Sequence, residues 1–212
     1  MKIGIMGGTF DPLHNGHVML AQYAYRMFAL DEVWFLPNGM PPHKSKATIE
    51  SLTKHRVEMI QAAISQYSYF KLCLYETRHK QISYSYQTME YFKEQFPQNE
   101  FYFIIGADSL FAIEHWKYPQ RLLSTCTVLA ACRDDKGTED MQHQIFYLNQ
   151  KYQAEIKLLR TPGISISSHE IRHRIKKGLS IADYVPKEVE EYIEEQNLFK
   201  DDEYGPAKSK PN

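Results

Sequence analysis

Residues 7–17 read Gly-Gly-Thr-Phe-Asp-Pro-Leu-His-Asn-Gly-His, and this stretch decides the fold. It follows a short apolar run, Ile3–Met6, and it precedes an amphipathic stretch, Val18–Leu30. We therefore expect a strand, a glycine-rich turn and a helix at this point of the chain. The backbone N–H groups of such a turn and the positive end of the helix dipole point to one place, which suits a polyphosphate.

Two histidines of this stretch are candidates for contact with phosphate. His14 and His17 stand three residues apart, so on the first turn of a helix their side chains share a face. Each imidazole offers an N–H donor to a phosphate oxygen. Gly16 removes bulk between the rings, while Gly7 and Gly8 allow a tight turn and the close approach of a ligand. The alternatives are a metal-binding pair and a structural pair, but the nearby sequence offers no obvious third metal ligand.

The rest of the chain alternates apolar, strand-like runs with amphipathic, helical ones. The predicted strands are Ile3–Met6, Glu32–Leu36, Phe70–Leu74, Phe101–Ile105, Thr127–Ala131 and Ile156–Leu159. The predicted helices are Val18–Leu30, Leu52–Ser65, Ser85–Phe96, Tyr118–Ser124, Thr138–Lys151, Ser168–Lys177 and Lys187–Gln196. This alternation predicts an α/β fold with a doubly wound, Rossmann-like parallel sheet and a small C-terminal helical segment. Ligands bind such sheets beyond the carboxyl ends of the strands, at the switch point near the first strand.

Composition and charge exclude several classes of partner. We expect one domain over residues 1–199, with a helical C-terminal part over about 166–199, and a disordered polar tail over 200–212. The net charge of −1 leaves no excess of basic residues for a nucleic acid or an anionic membrane. The sequence contains no apolar run long enough to span a membrane, and its first residues do not read as a signal peptide. Cys73, Cys126 and Cys132 lack CxxC spacing and are interpreted as reduced thiols of a cytoplasmic protein.

Two loops carry polar side chains that are candidates for ligand binding. Residues 36–44, Leu-Pro-Asn-Gly-Met-Pro-Pro-His-Lys, predict a stiff loop after the second strand. Lys44 in this loop is either a mobile point charge for a phosphate or an ordinary exposed lysine. Residues 82–88 read Ile-Ser-Tyr-Ser-Tyr-Gln-Thr, where Ser85 is a hydrogen-bond donor, the N-cap of the next helix, or both.

Two further segments suit a nucleoside and an aromatic ring. In residues 103–110, Phe-Ile-Ile-Gly-Ala-Asp-Ser-Leu, Asp108 follows a buried strand, where a carboxylate is well placed for ribose hydroxyls. Gly106 lets a nucleotide lie against the backbone. Residues 115–118 read His-Trp-Lys-Tyr, and the flat face of Trp116 suits either stacking on a cationic aromatic ring or packing in the core.

Residues 166–172, Ile-Ser-Ser-His-Glu-Ile-Arg, predict a second anion site. Hydroxyl groups at a helix N-terminus, with an arginine one turn later, donate to phosphate oxygens. Ser167 also suits the N-cap, with Glu170 completing a capping box. Arg172 is the main phosphate candidate of this segment. Three other residues are interpreted as core, packing or surface residues, namely Trp34, His55 and Arg56.

Together these segments resemble the signature of the (T/H)xGH nucleotidyltransferase superfamily and, within it, of the bacterial nicotinate-nucleotide adenylyltransferases. The resemblance runs from Met1 to about Phe199. It implies transfer of AMP from ATP to nicotinate mononucleotide, which gives nicotinate adenine dinucleotide and pyrophosphate in NAD biosynthesis. It also implies Mg²⁺ held mainly by ATP and water rather than by a protein metal site. Two positions depart from the family pattern, since Ser85 and His169 stand where threonine is usual.

The resemblance implies a role for each motif residue. The catalytic candidates are His14, His17 and Arg172, with His17 at the α-phosphate and Arg172 at the leaving pyrophosphate. The candidate ATP-binding residues are Gly7, Gly8, Thr9, Phe10, Gly16, Gly106, Asp108, Arg133, Ile166, Ser167 and Ser168. The candidate mononucleotide-binding residues are Asn38, His43, Lys44, Ser85, Trp116, Lys117 and Tyr118. In this scheme Trp116 stacks on the nicotinate ring.

Three alternative functions stay open on the sequence. A superfamily enzyme acting on phosphopantetheine is disfavoured by residues 36–44, residues 82–88 and Trp116. An enzyme acting on nicotinamide mononucleotide differs by an amide in place of a carboxylate, and backbone donors favour the carboxylate. A nucleotide-binding sensor without catalysis is disfavoured by the two histidines and Arg172. The expected partners are ATP and nicotinate mononucleotide, with no nucleic acid and no membrane, and a homo-oligomer stays open.

Overall fold

A computed structural model of the chain describes residues 1–39, 51–79, 82–133, 137–163 and 166–200. Within these ranges the strands are β1 (Lys2–Gly8), β2 (Glu32–Pro37), β3 (Phe70–Leu72), β4 (Glu100–Gly106), β5 (Thr127–Arg133) and β6 (Ile156–Thr161). The helices are α1 (Asn15–Met27), α2 (Thr53–Ile64), α3 (Tyr75–Arg78), α4 (Ser85–Gln95), α5 (Ala107–Ala112), α6 (Pro119–Thr125), α7 (Thr138–Tyr152), α8 (Ser168–Lys176) and α9 (Lys187–Glu195). A 3₁₀ turn, Ile113–His115, follows α5.

The strands form one parallel sheet in the order β3-β2-β1-β4-β5-β6. The chain adds β2 and β3 on one side of β1, and then returns to place β4 on the other side. Because the order reverses at this point, a crevice opens at the carboxyl ends of β1 and β4. The doubly wound parallel sheet predicted from the sequence is confirmed.

Strand β4 shows how both faces of the sheet are covered. Tyr102 and Ile104 belong to one buried apolar cluster, and Phe101, Phe103 and Ile105 belong to the other. Side chains of a strand alternate between its two faces, so a continuous apolar run marks a strand that is buried on both sides. Helices α1, α2, α8 and α9 contribute to the first cluster, and α4 to α7 contribute to the second.

The ends of the elements differ from the predictions by a few residues. Helix α1 begins at Asn15 rather than at Val18 and ends at Met27. It stops there because Ala29, with a φ of 48°, has left the helical conformation. The three short elements α3, α5 and the 3₁₀ turn have four, six and three residues, which are too few to show a helical period in the sequence.

The last two helices pack on the face of the sheet that carries α1 and α2. Helix α9 lies against α2, where Nδ1 of His55 is 2.9 Å from the hydroxyl oxygen of Tyr192. Within the described ranges, the helices are too short or too polar to cross a membrane. Residues 201–212 lie outside those ranges, so the predicted tail stays a prediction, as does the assignment of a single domain.

Candidate active site

The crevice at the carboxyl end of the sheet contains two adjoining cavities. The larger has a volume of about 330 Å³ and lies over the ends of β1, β2 and β4. Its lining includes Gly7, Gly8, His17, Asn38, Glu76, Ser85, Gly106, Trp116 and Lys117. The smaller, of about 240 Å³, is lined by residues that include Asp108, Phe111, Cys132 and Met141. Gly106 lines both, so the two cavities meet at the end of β4.

The turn after β1 lies at Asp11 and Pro12 rather than at the two glycines. Gly7 and Gly8 are still part of the strand, and the residue in the left-handed conformation is Phe10, with a φ of 53°. A Cβ atom on Gly8 would lie 3.0 Å from Cζ of Phe10, so Gly8 makes room for that ring as well as lining the larger cavity. The Phe10 side chain is buried, which leaves only its backbone for a ligand. The expectation that the two glycines form the turn is therefore wrong.

The two histidines are stacked at the start of α1. Their ring centres are 3.6 Å apart, with 23° between the ring planes. His14 is the N-cap of α1 and is buried, whereas His17 lines the larger cavity. A Cβ atom on Gly16 would lie 3.1 Å from Nδ1 of His14, so Gly16 leaves the space that this ring needs. The pair therefore presents one imidazole to the cavity and supports it with the other.

A backbone contact fixes which nitrogen of His17 carries the hydrogen. The backbone N–H of His14 donates to Nδ1 of His17 over 3.2 Å. Since a backbone N–H can only donate, Nδ1 is the unprotonated nitrogen of the neutral ring and Nε2 carries the hydrogen. His17 therefore offers an N–H donor on the side of the ring opposite to this contact. Within the described ranges, no three His, Cys, Asp or Glu side chains come together as ligands of a metal ion.

The C-terminal segment reaches the same turn from the other end of the chain. Ser167 caps α8, where its hydroxyl oxygen accepts from the backbone N–H of Glu170 over 3.1 Å. The hydroxyl of Ser168 donates to the carbonyl oxygen of Pro12 over 2.9 Å, and Nη1 of Arg172 donates to that of Asp11 over 2.7 Å. These residues lie beside the first turn but outside the described lining of either cavity.

Arg56 was expected to be a packing or surface residue, and the structure makes it part of the site. Its side chain is 1% exposed and lies beneath the ends of β1 and β2. A signal for this burial exists in the sequence, because Arg56 shares the helical face of Met59, Ile60 and Ala63, which are all buried. An arginine on an apolar face is buried only when its donors are satisfied, so it indicates a structured polar contact.

The expected mononucleotide end is formed by Ser85, Trp116 and Lys117, which line one wall of the larger cavity. The Trp116 ring meets Phe103 edge to face, with ring centres 6.3 Å apart. Nζ of Lys117 lies 4.4 Å from the centre of the Tyr84 ring. Ser85 is the first residue of α4, whose N-cap is Tyr84, so the alternative that Ser85 caps this helix is wrong.

Several predicted residues lie away from the described cavities or outside the description. The Tyr118 side chain is 48% exposed, and its ring packs on Tyr86 with centres 5.2 Å apart rather than lining the larger cavity. His43 and Lys44 lie outside the described residues. Arg133 ends β5, and its side chain is likewise outside the description.

A buried carboxyl group in the cavity wall has no counterpart among the predicted residues. Glu76 is 7% exposed, lines the larger cavity and accepts from Oγ1 of Thr88 over 2.8 Å. Burial raises the pKa of Glu76 above its ordinary value, although hydrogen bonds from Thr88 and Ser83 act in the opposite direction. Glu76 belongs to the short helix α3, which has too little sequence pattern for its burial to be predicted.

Replacing Glu76 with glutamine should remove a pH-dependent loss of stability. Because the folded-state pKa of Glu76 is raised, the folded protein holds this proton to a higher pH than the unfolded chain. The wild-type free energy of unfolding therefore falls as the pH rises from the ordinary value of 4.5 through the raised pKa. Denaturant unfolding of both proteins between pH 4.5 and 8 measures the difference between their free energies of unfolding. The contributions of the other carboxyl groups are the same in both proteins and cancel in this difference. Parallel curves would contradict this prediction.

Comparisons with known proteins agree with the geometry. Residues 5–174 match the family model described as cytidylyltransferase-like. A Lachnoclostridium phytofermentans protein named probable nicotinate-nucleotide adenylyltransferase is 40% identical over 198 residues, which cover 93% of this chain and 98% of the relative. A Clostridium botulinum protein of the same name is 39% identical over 92% of this chain and 98% of its own length.

A solved structure with low sequence identity to this chain has the same fold. It is the Plasmodium falciparum nicotinic acid mononucleotide adenylyltransferase complexed with NaAD, with a TM-score of 0.75 at 24% identity. The match covers 93% of this chain and 97% of the other. With a family model over most of the chain and nearly full-length relatives, this chain belongs to the cytidylyltransferase-like family and, within it, to the nicotinate-nucleotide adenylyltransferases.

Proposed function

We propose that the crevice between β1 and β4 is where this chain carries out the reaction of its family. The chain transfers the adenylyl group of ATP to nicotinate mononucleotide and gives nicotinate adenine dinucleotide and pyrophosphate, a step of NAD biosynthesis. The observation that carries the residue assignment is the position of His17. Its ring lines the larger cavity beside the glycine end of β1, with the hydrogen of the neutral ring on Nε2.

The reaction depends on positioning and on neutralisation of charge. The phosphate of the mononucleotide is already anionic at neutral pH, so one of its oxygens attacks the α-phosphorus of ATP without a general base. The new O–P bond forms in line with the bond between the α-phosphorus and the bridging oxygen of the leaving pyrophosphate. That bond breaks, and the leaving oxygen keeps its electron pair. Negative charge develops around the α-phosphorus and on the leaving group, and fixed donors at those oxygens lower the barrier.

His17 is assigned to the α-phosphate. Its Nε2–H donates to an α-phosphate oxygen and does so more strongly as charge builds in the transition state. The buried ring of His14, stacked beneath it, and the bond from the His14 backbone to Nδ1 keep the donor pointing in one direction. The backbone of residues 7–10 is assigned to the triphosphate, with Gly16 leaving space for the histidine pair.

The leaving pyrophosphate is assigned to the start of α8. The N-terminus of this helix, the hydroxyls of Ser167 and Ser168, and the guanidinium of Arg172 are donors or partial positive charges next to the first turn. ATP enters as its magnesium complex. Mg²⁺ prefers oxygen ligands and keeps several waters, so it is assigned to the phosphate oxygens while these protein groups donate to the same phosphates.

The nucleosides are assigned to opposite ends of the crevice. The nicotinate ring stacks on Trp116, and Ser85, Lys117 and the backbone at Tyr118 favour its carboxylate over an amide. Asn38 belongs to the same end, and His43 and Lys44 stay predicted contacts there. The adenosine of ATP lies over Gly106, with Asp108 at its ribose and Arg133 near the adenine. A cytoplasmic location and a homo-oligomeric state both stay predictions.

Pyrophosphate release tests the proposed function and its substrate preference. The purified chain is given ATP and Mg²⁺ with either nicotinate mononucleotide or nicotinamide mononucleotide. We expect release with the nicotinate compound and much slower release with the amide, because the donors at this end suit a carboxylate. Equal rates would contradict the assigned carboxylate contacts. ATP binding without release from either compound would instead support a nucleotide-binding sensor.

A further inference from the structure

The Arg56 guanidinium makes four hydrogen bonds beneath the crevice. Nη1 donates to the carbonyl oxygen of Thr9 over 2.9 Å and to Oδ1 of Asn38 over 3.3 Å. Nη2 donates to the carbonyl oxygen of Asn38 over 3.0 Å and to Oγ1 of Thr53 over 3.1 Å. One planar guanidinium thus contacts the loop after β1 and the loop after β2 at the same time.

The two loops that Arg56 contacts are also bonded to each other. The backbone N–H of Asn38 donates to the carbonyl oxygen of Gly8 over 2.9 Å. The side-chain amide of Asn38 donates to Oγ1 of Thr9 over 3.3 Å. The two loops and Arg56 therefore form a closed network, in which one loop cannot shift without straining its contacts with the other two partners.

The carboxylate of Asp11 partly offsets the cost of burying the Arg56 guanidinium. Burial lowers the pKa of the guanidinium, and the nearby carboxylate of Asp11 acts in the opposite direction. Asp11 is itself buried and accepts from the backbone N–H of Ser51 over 3.2 Å and from the Ser51 hydroxyl. Both terminal nitrogens of Arg56 therefore have protein partners, whereas its buried Nε makes no hydrogen bond within the described residues.

The contact with Thr9 also orients a backbone donor. In a trans peptide the carbonyl oxygen of Thr9 and the N–H of Phe10 lie in one plane and point in opposite directions. By holding the carbonyl, Arg56 turns the Phe10 N–H away from itself. This peptide belongs to the turn assigned to the triphosphate, while Asn38 belongs to the loop assigned to the mononucleotide.

We propose that Arg56 is a positioning residue that couples the two substrate subsites. It touches neither substrate, and it sets the relative position of the ATP turn and the mononucleotide loop through Thr9 and Asn38. This inference rests on the proposed function, because that function assigns the two loops to two substrates. It predicts that a change at Arg56 weakens the binding of both ATP and nicotinate mononucleotide, although each subsite keeps its own contact residues.

The first test is Arg56→Lys, with steady-state kinetics for each substrate. Lysine keeps the charge but lacks the planar fork, so it cannot make the same contacts to both loops. We expect KM to rise at least tenfold for both substrates, with kcat changing less than KM. The matched control is Arg26→Lys, an exposed arginine near the end of α1, for which we expect wild-type constants.

Chemical rescue separates positioning from a general loss of structure. In Arg56→Ala the cavity left behind suits a guanidinium ion, so added guanidinium chloride, kept well below denaturing concentration, should lower both KM values. Sodium chloride at the same ionic strength should not. A folded variant whose KM values stay wild-type, or rise for one substrate only, would overturn the coupling role. A KM that guanidinium fails to restore would also count against it.

Asn38→Ala keeps the proposal testable if the Arg56 variants do not fold. Asn38 lies at the mononucleotide end, so an uncoupled site predicts a higher KM for nicotinate mononucleotide alone. The proposed network predicts a higher KM for ATP as well, because the side-chain contacts of Asn38 with Thr9 and Arg56 are lost together, although the bond from Arg56 to the backbone carbonyl oxygen of residue 38 stays. An unchanged KM for ATP overturns the inference. The wild-type enzyme in the same assay tests the proposed function separately from the coupling role. If the wild type releases no pyrophosphate, the proposed function itself fails.

Discussion

The His17→Ala variant should fold normally and turn over about 10²–10³-fold more slowly than the wild-type enzyme. This is the usual effect of removing one donor from the charge that develops in a transition state. His17 lines the larger cavity, and the contact from the His14 backbone N–H to Nδ1 leaves the hydrogen of the neutral ring on Nε2. Because the interaction strengthens in the transition state, kcat should fall more than KM rises. Pyrophosphate release at saturating ATP and nicotinate mononucleotide measures the change.

A second histidine provides the matched control for this experiment. His143 is exposed on α7 and is outside the described lining of both cavities, so His143→Ala should retain wild-type kcat. Thermal unfolding of both variants checks that the fold is intact. A folded His17→Ala variant that loses less than tenfold in kcat would contradict the role assigned to His17.

The Gly39→Ala variant should be substantially destabilised and should bind nicotinate mononucleotide poorly. A Cβ atom at this position would lie 2.3 Å from the carbonyl oxygen of Glu76, and this neighbour is backbone rather than the end of a flexible side chain. Either the loop after β2 or helix α3 must shift, at a cost of about 1–3 kcal/mol. Both segments border the larger cavity, through Asn38 and Glu76, so the shift should also raise KM for the mononucleotide. Denaturant unfolding and steady-state kinetics measure the two effects.

Gly106→Ala is the matched control, because the same methyl group is added where nothing lies within 4 Å. Gly106 has a φ of −82°, which alanine adopts without strain, so its stability should stay within about 0.5 kcal/mol of wild type. The added methyl points into open space where the two cavities meet, and we expect a higher KM for ATP. Equal unfolding free energies for the two variants would contradict the steric account of Gly39.

The sequence predicts the sheet well because its signal is periodic and long. Strands β1, β4 and β5 have seven residues each, and their apolar runs, Ile3–Met6, Phe101–Ile105 and Val128–Cys132, are buried. Alternation of such runs with helical patterns leaves few arrangements other than a doubly wound parallel sheet. The position of the crevice follows from that topology, since the motif at residues 7–17 comes directly after the first strand.

The sequence predicts the candidate site only where the functional residues lie close together in one short segment. His14, Gly16 and His17 lie within one turn, so their spacing already indicates that they come together. The helical period places Arg56 on the buried face of α2, but it does not show which loops the side chain contacts, and α3 is too short to show the burial of Glu76. Of the four hydrogen bonds of Arg56, the one to Thr53 lies within α2, and the three to Thr9 and Asn38 form only when β1 and β2 are side by side.

The contacts between the first turn and the C-terminal quarter of the chain have a consequence for how the enzyme is made. Ser168 bonds to Pro12, Arg172 to Asp11, and Asn15 to Asp183, over sequence separations of 156, 161 and 168 residues. Contacts of this range close large loops and form late, after local elements and neighbouring strands have paired. Domains emerge from the ribosome N-terminus first. A nascent chain that has not yet released residue 183 therefore displays the whole signature motif while lacking the partners that hold it in its working shape.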